Sequence, residues 1–345
     1  MTEQAHYRID DFYTIPKIDA HTHYYSNNDA FIKHAQKNNM HLVSINVDFL
    51  ESEWMPLQDQ YKIAHKNQSQ FPNTFSYIGA VPMTAQIDEA HINKAIHQTT
   101  IEKNKGAIGV KIWKNVGMRI TYQQQLIMID NGLFDPLLKH LAKINLPLLG
   151  HFGEPKNCWL PLEQMTTESD KKYYRQHPEF HMHQHPDKPG YEEQIEACDR
   201  MLQQNTALPF IGAHLGSSEY SIDEIARRLD AYPNMFMDVA ERVCHLMHQA
   251  ADRHQAVYDF IIKYQDRLLY GSDMVFTDHK TTQEQLDELN KRWLGQWAFF
   301  TQKNEQTSWE VNKPFKGLGL PRSVVDKIYF KNALKAYPQL TKLIS

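Results

Sequence analysis

The sequence predicts an α/β protein built as one (β/α)8 TIM barrel, with a long cap insertion after strand 5 and a C-terminal helical extension. Three observations carry that prediction. Short apolar runs alternate with longer segments of helical periodicity along the whole chain, the pattern of a parallel sheet with crossover helices. The alternation repeats eight times within 345 residues, enough for a barrel of ~250 residues plus insertions. A residue of the kind that binds metals or moves protons closes most of the runs, and in this architecture the strand ends carry the chemistry. The open doubly wound sheet is the alternative. It calls for a glycine-rich phosphate turn after the first strand, and that stretch reads Tyr24-Tyr25-Ser26-Asn27-Asn28, without a glycine.

Taken in order, the runs are residues 17–21, 41–47, 75–81, 107–113, 146–151, 209–214, 235–239 and 267–273. The first leads into His21-Thr22-His23, where a period of two puts both imidazoles on one face together with Asp19. In the fourth, Ile108, Val110 and Ile112 suit the helix side, and Ala107, Gly109, Lys111 and Trp113 suit the barrel interior. The fifth ends at His151. The same parity sets Gly212 with His214 inside the sixth, and Gly271 with Asp273 inside the eighth. Between strands, Asp135-Pro136 start a helix whose apolar face is Leu137, Leu138, Leu141 and Ile144. Ser221 and Glu224 have capping-box spacing ahead of Ile222, Ile225, Ala226 and Leu229.

Two stretches exceed an ordinary loop. Residues 152–190 follow the fifth strand and read as a cap over the strand ends; their histidines 177, 181, 183 and 185 read mostly as a solvated loop, with one reaching the site at most. Residues 274–321 read as the last barrel helix with an added hairpin or helix. No repeat, low-complexity tract or linker divides the chain, so residues 1–345 are expected to form one domain.

Composition narrows the function classes. Hydrophobic residues make up 41% and charged residues 23% of the chain, an ordinary globular balance. A formal net charge of -4 gives no reason to expect nucleic acid or an anionic membrane as a partner. No apolar run approaches the ~18 to 20 residues of a bilayer span. The polar residues 1–11 lack the apolar core of a signal peptide, so the expected location is cytoplasmic. Cys158, Cys198 and Cys244 are too few and too scattered for a disulfide framework or a thiolate zinc site.

His21, His23, His151 and Asp273 amount to three nitrogen donors and one oxygen donor. That set suits zinc first, and also Mn, Fe, Co or Ni; one divalent ion per chain is expected. Such an ion brings the pKa of a water toward ~7. His214 is then a general acid/base or a ligand of a second metal. A lysine aimed into a barrel is costly unless paired or modified. Lys111 would therefore bridge a second metal if carboxylated, or else hold an acidic substrate or pair with a carboxylate such as Asp19. Glu154, Trp159 and Arg242 complete the substrate-binding candidates, Arg242 as a fork for a carboxylate. A solvent-facing salt bridge is the plain alternative for Glu154 and for Arg242. The expected partner is a small-molecule substrate, and the cap is long enough to be shared across a homodimer.

In the order Ile18-Asp19-Ala20-His21-Thr22-His23, Gly109-Val110-Lys111, Gly150-His151, Gly212-Ala213-His214-Leu215-Gly216 and Tyr270-Gly271-Ser272-Asp273, the chain resembles the amidohydrolase superfamily. Within it the chain is similar to the amidohydrolase family 2 branch, which holds the relatives of aminocarboxymuconate semialdehyde decarboxylase and of sugar and dicarboxylate lactonases. The closing Ile328-Tyr329-Phe330-Lys331-Asn332-Ala333 also looks like that branch. The resemblance implies a TIM barrel, a divalent metal on His21, His23, His151 and Asp273, and His214 beside the bound water or substrate. It matches Lys111 to a position that is carboxylated in binuclear relatives, whereas most of the branch is mononuclear. The long cap departs from simpler members. The expected activity is hydrolysis of a small, polar, acidic substrate such as a lactone or cyclic ester by metal-activated water. Asp273 would take the proton of the water, and His214 would stabilise or protonate the leaving oxygen. Non-oxidative decarboxylation of an aromatic or muconate-type acid is the alternative, and a metal-bearing binding protein without turnover is the reading from another class.

Overall fold

A computed structural model of the chain describes residues 5–50 and 55–344. Residues 1–4 of the polar N-terminal segment lie outside the described residues. The predicted runs become a parallel sheet of nine segments: β1 (Lys17–Tyr25), β2 (Met40–Ile45), β3 (Phe75–Ala80), β4 (Val110–Ile112), β5 (Leu148–Gly150), β6 (Phe210–Gly212), β7 (Met235–Asp238), β8 (Leu268–Leu269) and β9 (Met274–Thr277). Their order in space is β8-β7-β6-β5-β4-β3-β2-β1-β9. β8 lies inside the predicted eighth strand, residues 267–273, whereas β9 follows its end, in the stretch expected to begin the last helix; β8 pairs with β7 and β9 with β1. Ala20 N donates to Tyr270 O at 2.9 Å and Asp273 N to His21 O at 2.8 Å, which joins the last strand to the first and closes the barrel.

The crossover helices are α1 (Ala30–Lys37), α2 (Leu57–Gln70), α3 (Glu89–Asn104), α4 (Asp135–Lys143), then the cap helix α5 (Glu168–Gln176), α6 (Tyr191–Gln204), α7 (Ile222–Ala231), α8 (Val243–Tyr264) and α9 (Thr282–Thr301). α4 begins at Asp135 with Pro136 in its first turn, and the Ser221 side chain accepts from Glu224 N to start α7. Among the described residues no helix is long and apolar enough to cross a membrane.

Two apolar layers hold the barrel. Outside the strands, Tyr77, Val110, Leu148, Phe210 and Met237 pack with helix residues such as Leu137, Ile225 and Trp293. Inside, nearly every strand contributes to a second cluster: Ile18, Val43, Ile78, Ile108, Leu149, Ile211 and Leu269, closed by Tyr337 and Leu340 of the C-terminal segment. Each such side chain contributes about 1.5–3 kcal/mol on burial. After α9 the chain forms an antiparallel hairpin, Glu305–Ser308 with Val311–Lys316, so the extension is not purely helical. Then Tyr329 stacks on Tyr270 at 4.2 Å, and Asn332 Nδ2 donates to Gln265 O and Leu268 O at 2.7 and 2.8 Å. These contacts pin the closing segment beneath the eighth strand.

Simple alternation fails in three strands. The β1–β2 register shifts between Asp19 and Thr22, a bulge that adds one residue and changes which face the chain presents. Asp19 therefore points away from His21, toward the helix layer, where it accepts from Trp293 Nε1 at 2.8 Å and Ser272 N at 2.9 Å. The expected Asp19–Lys111 pairing does not occur. In the fourth strand the regular ladder starts only at Val110, so Ile108 lies in the interior cluster and Ala107 outside it, the reverse of the expectation. In the sixth, a Cβ on Gly212 would meet Met235 and Gly216 in the outer layer, and His214 reaches the interior through a turn rather than along the strand.

Candidate active site

The polar residues gather at the C-terminal mouth of the barrel, around a cleft of about 310 Å³. β1 supplies His21 and His23, β4 Lys111, and the residues just after β5, β6 and β8 supply His151, His214 and Asp273. Asp273 holds a φ of 58°, a left-handed conformation that is uncommon for a non-glycine residue. That break in the eighth strand turns its carboxylate toward the histidines. The carboxylate Oδ1 lies 3.3 Å from His21 Nε2 and 3.3 Å from His23 Nε2.

The other ring nitrogens fix the tautomers. His21 Nδ1 donates to Asp238 Oδ2 at 2.8 Å, and His23 Nδ1 donates to Ile45 O at 2.9 Å. Both Nε2 atoms are then lone pairs facing a carboxylate oxygen, with no hydrogen in between. Two lone pairs converging on a carboxylate oxygen invite a cation, and carboxylate-oriented imidazoles are a common metal-ligand arrangement. His21, His23 and Asp273 each offer an atom, all within 4.8 Å of one another. The donor set thus fits a divalent ion. His21, His214 and Asp238 form a second such group, but the Asp238 oxygens already accept from His21 Nδ1, His214 N and Ala240 N. Asp238 is an orienting residue by that criterion.

His151 lines the same cleft. Neither of its ring nitrogens has a hydrogen-bond partner although both are buried, and its ring centre lies 4.4 Å from that of His214. Its Nε2 is 3.5 Å from Glu154 Oε2. His214 Nδ1 donates to Ala240 O at 3.0 Å. Burial, reinforced by the neighbouring cation at Lys111 for His151 and by His151 itself for His214, holds both imidazoles well below the usual histidine pKa. Both are neutral at pH 7.

Lys111 Nζ sits 3.2 Å from His21 Nε2, and burial lowers its pKa to about 8. Glu154 is buried and ion-paired with Lys114, not solvent-facing. Arg242 is also buried in the cleft wall. Its Nη1 makes only long contacts, 3.5 Å to Asp170 Oδ1 and 3.4 Å to Glu241 O, and its Nε has no partner. Trp159 does not line the cleft. Its indole Nε1 donates to Pro189 O at 3.3 Å and its ring meets Tyr191, because the segment after His151 turns back under the cap. His181 is buried too, accepted by Leu160 O at 2.8 Å, so it is a cap strut and not a solvated residue.

Several lining residues were missed in the sequence. Lys114, Asp170, Tyr173 and Tyr174 face the cleft, the last three from α5. Asp238 had a visible signal: it is the last residue of the seventh strand, the region where the fifth and sixth strands carry His151 and His214. α5 carried none, since its cleft-facing residues look like any amphipathic surface turn.

The chain matches the family model described as Amidohydrolase over residues 80–339. No curated protein matches it in sequence. Among solved structures it is similar to 2,6-dihydroxybenzoate decarboxylase from Rhizobium, with a TM-score of 0.51, 14% identity, and 94% of this chain and 98% of that one covered. A dihydroxybenzoic acid decarboxylase from Polaromonas, solved with bound manganese and the inhibitor 2-nitroresorcinol, has a TM-score of 0.51 and 14% identity, covering 94% and 97%. The 4-oxalomesaconate hydratase from Rhodopseudomonas palustris has a TM-score of 0.51 and 13% identity, covering 95% and 97%. At these identities the likeness establishes the shared barrel.

Proposed function

The chain belongs to the amidohydrolase family, and from that premise we propose that it is a metal-dependent hydrolase of a small carboxylate-bearing lactone or cyclic ester. The observation that carries the reading is the pair of imidazole lone pairs, His21 Nε2 and His23 Nε2, each 3.3 Å from the same Asp273 oxygen. His21, His23 and Asp273 would hold one divalent ion, zinc in the first instance, with His151 as the fourth donor through a ring nitrogen that has no other partner. Such an ion, when bound, polarises a carbonyl and makes water nucleophilic at neutral pH. Asp273, ionised, receives the proton of the attacking water at its carboxylate. His214 is neutral at rest with its lone pair at Nε2, so it can take up that proton and deliver it to the leaving oxygen. Arg242, whose Nε is unpaired, offers a substrate carboxylate the fork that its long contacts leave open. Lys111 supplies a second positive charge on the same wall.

A second reading, non-oxidative decarboxylation of an aromatic acid, is favoured by one feature: Phe49, Trp113 and Tyr173 line the cleft and offer aromatic surface to a flat ring. The likeness to 2,6-dihydroxybenzoate decarboxylase and dihydroxybenzoic acid decarboxylase lends that substrate class weight. Metal analysis and a panel of lactones, cyclic amides and aromatic acids in ¹⁸O-labelled water separate the readings. Label in the product acid supports the hydrolase. Carbon dioxide release without label replaces it with the decarboxylase, and a metal-free, inert protein removes both.

A further inference from the structure

His214 stands at the head of an unusual stretch. His214, Leu215, Gly216 and Ser217 have φ values of 58°, 57°, 61° and 56°, a whole turn in the left-handed region. Only glycine visits that region freely, and L-residues avoid it in succession. A turn of this hand cannot use the carbonyl ladder of the sheet or of a right-handed helix, so its backbone groups need donors and acceptors from elsewhere. The turn closes one bond of its own, Ser218 N to Leu215 O at 3.2 Å, and three of its other backbone groups are held from outside. His214 N donates to Asp238 Oδ1 at 2.8 Å. Tyr191 OH donates to Ser217 O at 2.6 Å. Arg228 Nη1 donates to Gly216 O at 2.6 Å and to Ser218 Oγ at 3.0 Å. The guanidinium is itself anchored, with Nε on Asp199 Oδ1 at 2.8 Å and Nη2 against Cys198 Sγ at 3.3 Å, and the side chain is wholly buried. A Cβ at residue 216 would stand 3.0 Å from Arg228 Nη1, so the glycine is what lets the clamp close. Neither Arg228 nor Tyr191 lines the cleft.

We propose that Arg228 is a positioning residue for His214: from outside the cleft, its guanidinium clamps the Gly216 carbonyl and fixes the left-handed turn that aims the imidazole at the substrate. The proposal rests on the reading of His214 as the residue that moves the proton.

Arg228→Lys tests it. Lysine keeps the charge opposite Asp199 but lacks the rigid planar fork with which Nε holds Asp199 while Nη1 holds Gly216 O and Ser218 Oγ. The expected results for the metal-loaded variant are unchanged metal content, a displaced His214 ring in the crystal structure, and kcat lower by about 10- to 100-fold with KM retained. In a His214→Asn background, Arg228→Lys is expected to cost nothing further, because the two act as a unit. An unmoved His214 ring, or losses that multiply in the double variant, overturns the proposal. If His214→Asn alone leaves kcat unchanged, the reading of His214 fails, and the ring position in Arg228→Lys still decides the positioning role. Should Arg228→Lys not fold, Gly216→Ala sets a Cβ 3.0 Å from Arg228 Nη1 and loosens the same clamp; a ring that stays in place there overturns the proposal as well.

Discussion

The two ends of the barrel interior use the same strands for opposite purposes. At the N-terminal end, Ile18, Val43, Ile78, Ile108, Leu149, Ile211 and Leu269 interlock beneath Tyr337 and Leu340. At the C-terminal end those strands hand over to His21, His23, Lys111, His151, His214 and Asp273. The backbone follows the same division. At the closed end, left-handed conformations fall on Asn39 and Asn145, both at φ 50°, and asparagine is the side chain that tolerates them best after glycine. At the open end they fall on His214, Leu215, Glu241 and Asp273, of which Leu215 and Glu241 tolerate them poorly. The closed end is selected for fit and the open end for where a functional atom must lie. The fold stays stable because the misfits sit on strands already locked below.

The largest expected effect breaks the open end alone. His23→Ala should lower metal affinity by orders of magnitude while leaving the melting transition of the metal-free protein nearly in place, since the closed end does not depend on the ion. Metal content and a thermal melt read both halves. Full occupancy in the variant would remove His23 from the ligand set. Next comes His214→Asn, expected to keep the ion and to lose about 10²- to 10⁴-fold in kcat. Loss of ion in step with activity would make His214 a ligand.

A lesion at the closed end should do the reverse. Leu149→Ala is expected to destabilise the protein by about 2–5 kcal/mol without changing metal stoichiometry, read by urea denaturation and metal analysis. Acid sharpens the contrast. Burial lowers the pKa of His23 at the mouth and of His41 at the base from 6.5 to about 4. In each case the unfolded state binds the proton first as pH falls. Stability is therefore full above pH 6.5 and is lost between 6.5 and 4, by about 3 kcal/mol for each histidine in chelator-treated protein. His41→Gln should remove the base contribution and leave the mouth's; a pH profile identical to wild type would show that His41 is not buried neutral.

Much of this contrast was legible in the sequence. Eight runs, five of them with a ligand-type residue at or near the end, marked the open end, and both helix starts fell where Pro136 and Ser221 put them. What the sequence hid were the departures from a period of two. A bulge between Asp19 and Thr22 turned Asp19 to the helix side, and a split in the eighth strand made Asp273 a turn residue. Neither leaves a mark in local composition, because an inserted residue changes pairing without changing residue type. The cap was hidden for another reason. Its contacts with the cleft are long-range, so nothing within residues 152–190 distinguished Tyr173, which faces the cleft, from Trp159, which does not.

That pair supplies the smallest and most discriminating effect. The cap reaches the open end through Glu154 at its start and through α5, where Tyr173 is partly exposed at the cleft wall with its hydroxyl 3.5 Å from Lys114 Nζ. Trp159, earlier in the cap, spends its indole on Pro189 and Tyr191, and Arg175 points to solvent. A single aromatic contact to a bound ligand contributes about 0.5–1.5 kcal/mol, a change of several-fold in affinity. Tyr173→Ala should therefore raise KM several-fold with metal content intact. Trp159→Phe keeps the packing against Tyr191 and should leave KM where it was, as should Arg175→Ala. If Trp159→Phe moved KM and Tyr173→Ala did not, the substrate would enter by a path other than the α5 wall, and the cap would have to act through its first turn after His151 rather than through its helix.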